Sequence, residues 1–181
     1  KMEEHISKME EQILKIEEHI LKIEEQILRI TKTQDTMLQD LAYVKGLSLE
    51  WHYNLNASAI LGRWFKKVKV LDKGAWLESI EEEKGLTADE WTDLSNIDVV
   101  ATGISKQFKK QVTIIIEVSW TIDSHDISRV VKWQNFLKSK GIEVVPVVAG
   151  RGITGDASAE AEKTSILVIL NGRGIFNQDR Y

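Results

Sequence analysis

Two acidic residues stand where acids are costly. Asp98 lies in the apolar segment Ile97-Asp98-Val99-Val100, and Glu117 sits near the end of Ile114-Ile115-Ile116-Glu117-Val118-Ser119. A carboxylate inside each of two neighbouring apolar strands loses hydration and needs a partner. A divalent cation suits both, since Mg²⁺ prefers oxygen ligands, commonly one or two carboxylates, and keeps several waters. Held between Asp98 and Glu117, Mg²⁺ or Mn²⁺ polarises a phosphoryl oxygen and lowers the pKa of a bound water for in-line attack. The plainer alternative is that backbone donors, an arginine or water satisfy the two acids.

Other patterns with chemical meaning are weaker. Gly150-Arg151-Gly152-Ile153-Thr154-Gly155 matches G-x-G-x-x-G between an apolar strand and a helix, the context a dinucleotide fingerprint requires. The next strand ends in Asn171-Gly172 rather than in an acid for a ribose hydroxyl, so a loop with positive φ at several glycines is the expectation. Asp123, His125 and Asp126 cluster at a helix start, where acids serve as caps and dipole partners. No G-x-S-x-G or H-E-x-x-H is present, which leaves hydrolase triads and zincins without support. With no cysteine there is neither a disulfide framework nor a thiolate metal site. Of the six tryptophans, Trp51, Trp64, Trp76, Trp91 and Trp133 fall on expected helices as core or interface residues. Trp120 is expected to be buried, with base stacking at a cleft mouth as the alternative.

The elements that must position these residues follow from periodicity. Leu49 to Val68 reads as a helix, KVKVL at 67–71 as a short strand, and Ala75 to Lys84 as a helix stopped by Gly85. Thr87 with Glu90 three residues later is a capping-box pattern for a short helix through Leu94. Ile97 to Thr102 and Val112 to Ser119 are β-branched runs joined by a polar, basic link, and read as antiparallel neighbours. A helix capped by Ser124 or Asp126 runs to Lys140 and ends at Gly141. Ile142 to Ala149 and Ile166 to Leu170 are further strands, with Pro146 hinting at an edge or bulge in the first. The expected fold class is α/β: a mixed central sheet with flanking helices, preceded by a long N-terminal coiled-coil helix.

On these residues the chain resembles the PD-(D/E)XK nuclease superfamily, whose restriction endonuclease-like core places an Asp at the start of one strand and a (D/E)-x-K triplet at the end of the next. Asp98 matches the first position and Glu117-Val118-Ser119 the triplet. The resemblance covers roughly residues 49–170 and includes SLEWHYNLNASAILGRWFKKVKVL, EVSWTIDSHDISRV and GIEVVPVVAG, segments akin to a poorly characterised coiled-coil-containing group. It implies that Asp98 and Glu117 hold the metal with help from Glu50. The superfamily's lysine, thought to activate the attacking water, is replaced by Ser119, and the resemblance implies Arg129 or Lys132 as the substitute basic residue.

Residues 1–45 carry a different signal. Met2, Ile6, Met9, Ile13, Ile16, Ile20, Ile23, Ile27 and Ile30 alternate spacings of four and three, and the register continues through Gln34, Met37, Leu41 and Val44. That is a heptad repeat with apolar residues at both seam positions, a coiled coil for which isoleucine at both favours a trimer or tetramer. Two domains are expected: 1–45 for homo-oligomerisation and 46–181 for the nuclease-like α/β domain. The first carries 7 Lys/Arg against 10 Asp/Glu and the second 17 against 18. A basic face for nucleic acid must therefore be local, from Arg63, Lys66, Lys67 and Lys69 or from Lys106, Lys109 and Lys110. No apolar run approaches the roughly 18 residues that span a bilayer, so no membrane partner is expected and the cytoplasm is the expected location. The expected function is Mg²⁺-dependent phosphodiester hydrolysis of DNA by an oligomer; the alternative is an inactive nuclease-fold domain serving as a coiled-coil assembly or DNA-tethering scaffold.

Overall fold

A computed structural model describes residues 1–176. The chain divides into two compact units, Lys1–Val44 and Lys45–Tyr181. In the first unit the helix is all exposed surface, with Ile6, Ile13, Ile20 and Ile27 each about half exposed. On its flanks Glu11–Lys15, Glu18–Lys22 and Glu25–Arg29 form i,i+4 ion pairs at 2.7 Å, in the favourable order with the acid first. No helix among the described residues is long and apolar enough to cross a membrane.

Helix α1 spans Met2–Leu61 and so runs without a break through Gly46, joining the expected coiled-coil helix of residues 1–45 to the helix expected from Leu49. A glycine inside a helix costs only about 1 kcal/mol relative to alanine. The following turns more than offset that by burying Leu49, Tyr53, Ala57 and Leu61 at four-residue spacing. Trp51, expected to be a core or interface residue, lies with Leu55 on the opposite face, and both are exposed. The helix stops short of Val68 because Phe65 already begins a strand.

The second unit continues with β1 (Phe65–Val70), α2 (Lys73–Lys84), α3 (Ala88–Ser95), β2 (Val99–Ser105), β3 (Gln111–Ile122), α4 (Ser124–Ser139), β4 (Val144–Ile153), α5 (Gly155–Lys163), β5 (Leu167–Leu170) and β6 (Arg173–Phe176). The strands form one six-stranded sheet in the order β1-β2-β3-β4-β5-β6. Pairings are antiparallel for β1–β2, β2–β3 and β5–β6 and parallel for β3–β4 and β4–β5, so the sheet is mixed, as expected. β6 has no counterpart in the sequence reading. Its four residues follow the tight Asn171-Gly172 turn, where both residues have positive φ, and too few alternations exist to announce a strand.

Both faces of the sheet are covered. Val100, Ile115, Val148 and Val168 pack with α2 to α5 around Leu94, Ile127, Trp133 and Leu137. Val99, Ile114, Ile116, Val147 and Leu167 pack on the other side against Leu49, Tyr53, Ala57 and Leu61 of α1. This two-sided burial explains the near-continuous apolar runs of β3 and β4.

The caps of α2 and α3 are Asp72 and Thr87, the latter with the full capping box to Glu90. The cap of α4 is neither Ser124 nor Asp126 but Asp123, whose carboxylate accepts from the N–H groups of His125 and Asp126, while Asp126 closes the reciprocal bond. Pro146 is not on an edge strand: β4 lies between β3 and β5. It pairs with Ile115 of β3, and the β5 ladder begins only at Val147. The G-x-G-x-x-G segment is not a positive-φ loop, since Gly150 and Gly152 belong to β4, Gly155 opens α5, and none of the three has positive φ. At Gly150 the requirement is space. A Cβ there would lie 2.5 Å from the Ser119 carbonyl oxygen and 3.0 Å from Ile122.

Candidate active site

Strand register creates the site. Val99 pairs with Ile116, and one further step along this antiparallel ladder sets Asp98 opposite Glu117, where side chains share a face. That face carries Val100 and Ile115 and is covered by α4. Asp98 lies just before β2, and its Oδ2 accepts a 2.6 Å hydrogen bond from the Val118 N–H. Glu117 is only 3% exposed. Its Oε1 accepts a short hydrogen bond from Nη1 of Arg129 on α4, while Oε2 is buried with no partner among the described residues.

The electrostatics follow from this crowding. Burial pushes the Asp98 carboxyl up to about 6, against the stabilising Val118 N–H, and the Glu50 charge adds to the rise. Burial, then the adjacent Asp98 charge, pushes Glu117 up to about 8 even with Arg129 beside it. Two carboxylates forced together out of water favour keeping at least one proton, and a multivalent cation in their midst would replace it.

Of the residues expected from sequence, the structure brings Asp98, Glu117 and Arg129 together. Glu50, on α1, is half-buried, and its charge acts on Asp98. No group of three or more His, Asp or Glu side chains stands at metal-holding spacing among the described residues. Lys132 lines the same cleft but is drawn away by Asp93 of α3, at 2.9 Å. Ser119 pairs with Gly150, and its hydroxyl donates to the Thr121 carbonyl at 3.0 Å. The cleft in front of Asp98 has a volume of about 600 Å³ and is lined by Asp93, Asn96, His125, Ser128, Arg129 and Lys132.

Two further residues act at the site that the sequence did not assign to it, although Asp126 was marked there as a cap. Lys73, the first residue of α2, donates to the Ile97 carbonyl at 2.8 Å and lowers the Asp98 pKa. Asp126 is buried and accepts from Arg129 Nη2 at 3.4 Å, so the residue that closes the α4 capping box also helps orient the arginine. The three-residue spacing of Asp126 and Arg129 on one helix was the available signal for that contact; nothing local marks Lys73. The basic cluster Lys106, Lys109 and Lys110 follows the C-terminal end of β2, whereas Asp98 precedes its start. Lys66, Lys67 and Lys69 lie on edge strand β1, with Lys67 at positive φ inside a register shift, the placement that discourages edge-to-edge pairing.

The two carboxylates fit a divalent cation by their chemistry. Both are oxygen donors, their charges repel, and Glu117 presents one free buried oxygen while Arg129 occupies the other. One or two carboxylates with water complete a common Mg²⁺ environment.

No family model and no curated protein matches the chain. Among solved structures it is similar to EndoMS in complex with double-stranded DNA, with 11% identity and a TM-score of 0.39 over 65% of this chain and 39% of that one. It is also similar to a repair endonuclease from Pyrococcus abyssi, with 13% identity and a TM-score of 0.33 over 55% of this chain and 46% of that one. Each match thus spans less than half of the other protein.

Proposed function

We propose that this chain is a self-associating nuclease-like protein that hydrolyses phosphodiester bonds of DNA with Mg²⁺ or Mn²⁺. The observation that carries the reading is the pair of half-buried Asp98 and buried Glu117, whose Oε2 has no partner among the described residues. Asp98 and Glu117 would hold the cation, with Glu50 adding negative charge nearby. The cation supplies Lewis-acid polarisation of the phosphate and a more acidic water.

The remaining roles fall to the chain's own residues. Arg129 orients Glu117 through Oε1, leaving Oε2 for the cation, and offers a fixed positive charge at the cleft wall for the developing charge of the phosphate. It is the best-placed replacement for the lysine that Ser119 does not provide. Lys73 fixes the Ile97 carbonyl beside Asp98, and the Val118 N–H orients the Asp98 carboxylate. The exposed seam of residues 1–45 joins copies into a trimer or tetramer, so several weak sites engage one nucleic acid with gains from effective concentration.

One observation favours a second reading, an inactive assembly or tethering scaffold. Val118 N–H and Arg129 already give each carboxylate a partner without a cation. A cleavage assay of the full chain on single-stranded, branched and duplex DNA separates the two readings. Cleavage that requires Mg²⁺ or Mn²⁺ and disappears in Glu117→Gln supports the enzyme; intact DNA under every condition supports the scaffold.

A further inference from the structure

Trp120 carries an unexplained combination of features. It follows Ser119 at the end of β3, and at 43% exposure its indole is the most exposed large apolar side chain of the central strands. The β3–β4 register runs from Ser119–Gly150 to Thr121–Gly152, which sets Trp120 beside Arg151 on one face of the sheet. The Arg151 guanidinium and the Lys45 ammonium of α1 both stand over the indole, each 5.4 Å from the ring centroid. Both cations are exposed, and neither forms an ion pair with a carboxylate among the described residues. In a unit of nearly balanced charge, two uncompensated cations around a solvent-facing aromatic ring form a local patch of distinct chemistry.

That chemistry matches one ligand class. An aromatic face stacks on a nucleobase regardless of its identity; a base entering here takes the place of a cation over the ring, and the long Lys and Arg side chains so released hold the flanking phosphates. Bases inside a duplex are stacked on each other, so a lone surface indole selects an unpaired one. We propose that Trp120, Arg151 and Lys45 form a docking platform for an unpaired nucleotide of single-stranded DNA. The platform deepens the nuclease reading and rests on it for its purpose, since Trp120 is three residues, about 10 Å of strand, from Glu117. The odd offset places Trp120 on the α1 face of the sheet and Glu117 on the α4 face, so a strand held on Trp120 has to pass round the C-terminal end of β3 to reach the carboxylate pair.

The test measures binding of the full chain to a labelled short oligothymidine by fluorescence anisotropy, in EDTA so that no cleavage occurs. A duplex of equal length serves as comparison. The platform predicts tighter binding to the single strand, about a tenfold or greater loss in Trp120→Ala, and near-wild-type binding in Trp120→Phe, which keeps an aromatic face. Paired Lys45→Gln and Arg151→Gln substitutions should weaken binding and flatten its salt dependence. Unchanged oligothymidine binding in Trp120→Ala overturns the platform, as does an equal loss of duplex binding. The two proposals fail separately. Trp120-dependent binding without metal-dependent cleavage keeps the platform and removes the enzyme; cleavage with Trp120-independent binding does the reverse.

Discussion

Arg129 and Glu117 are bound through a single carboxylate oxygen, and the other oxygen of Glu117 is buried without a partner among the described residues. This division leaves one carboxylate oxygen outside the ion pair. It also fixes the sign of several measurable effects.

Stability without metal should fall as pH rises. Unfolded, Glu117 loses its proton near its ordinary value of 4.5, whereas folded it holds the proton up to about 8. Between those values the native state binds more protons, so alkalinity favours unfolding. Asp98 adds a contribution of the same sign from 3.8 to about 6. Thermal melts of the full chain in EDTA across this range should decline with pH, and Glu117→Gln should flatten the decline. Parallel profiles for the two proteins would show that Glu117 is not the group responsible.

Arg129→Gln should destabilise the protein by about 1–3 kcal/mol above pH 8, because it strands a buried negative charge, discounted for the one-third exposure of the arginine. Near pH 5 the loss should shrink, since Glu117 is then neutral and makes less use of the guanidinium. Chemical denaturation at both pH values reads this out. A loss independent of pH would mean that Arg129 matters for packing rather than for charge.

Gly150→Ala should cost about 1–3 kcal/mol by overpacking, since the new Cβ meets the Ser119 carbonyl at 2.5 Å. The same shift would displace the Ser119 end of β3, so metal affinity should fall alongside stability. A variant as stable as wild type would contradict the close approach of β3 and β4.

The seam of α1 should set the mass of the particle. The 181-residue chain is expected to sediment as a trimer or tetramer, and Ile16→Asp with Ile23→Asp should reduce it to a monomer, because charges at seam positions cannot be buried together. A wild-type monomer at micromolar concentration would leave the heptads without an assembly role.

What could be read from the sequence depended on whether the signal was local. The heptads, the Thr87–Glu90 capping box and the β-branched runs around Asp98 and Glu117 are local patterns, and the helices and strands they announce appear, while the coiled-coil pairing of the heptads awaits the sedimentation test above. The extension of α1 through Gly46 was hidden because tertiary burial of Leu49 and Tyr53 outweighs the glycine. Trp120 was expected inside, but it lies where β3 runs past the covered part of the sheet, and both it and Thr121 are exposed. The choice between Arg129 and Lys132 required knowing that Asp93 of α3 faces α4, and Lys73 enters the site only through the packing of α2 beside the start of β2. The glycines of 150–155 resembled a loop, whereas their observed positions follow from β4 running on to Ile153 and from the closeness of β3 at Gly150.

The measurement that bears most directly on the central claim is a thermal melt of the full chain with and without millimolar Mg²⁺ or Mn²⁺, repeated on Asp98→Asn. A ligand that binds only the native state raises stability by mass action. The account predicts a concentration-dependent rise in Tm for the wild type that is lost in Asp98→Asn. No rise at any metal concentration, or an equal rise in both proteins, would contradict a metal site at Asp98 and Glu117.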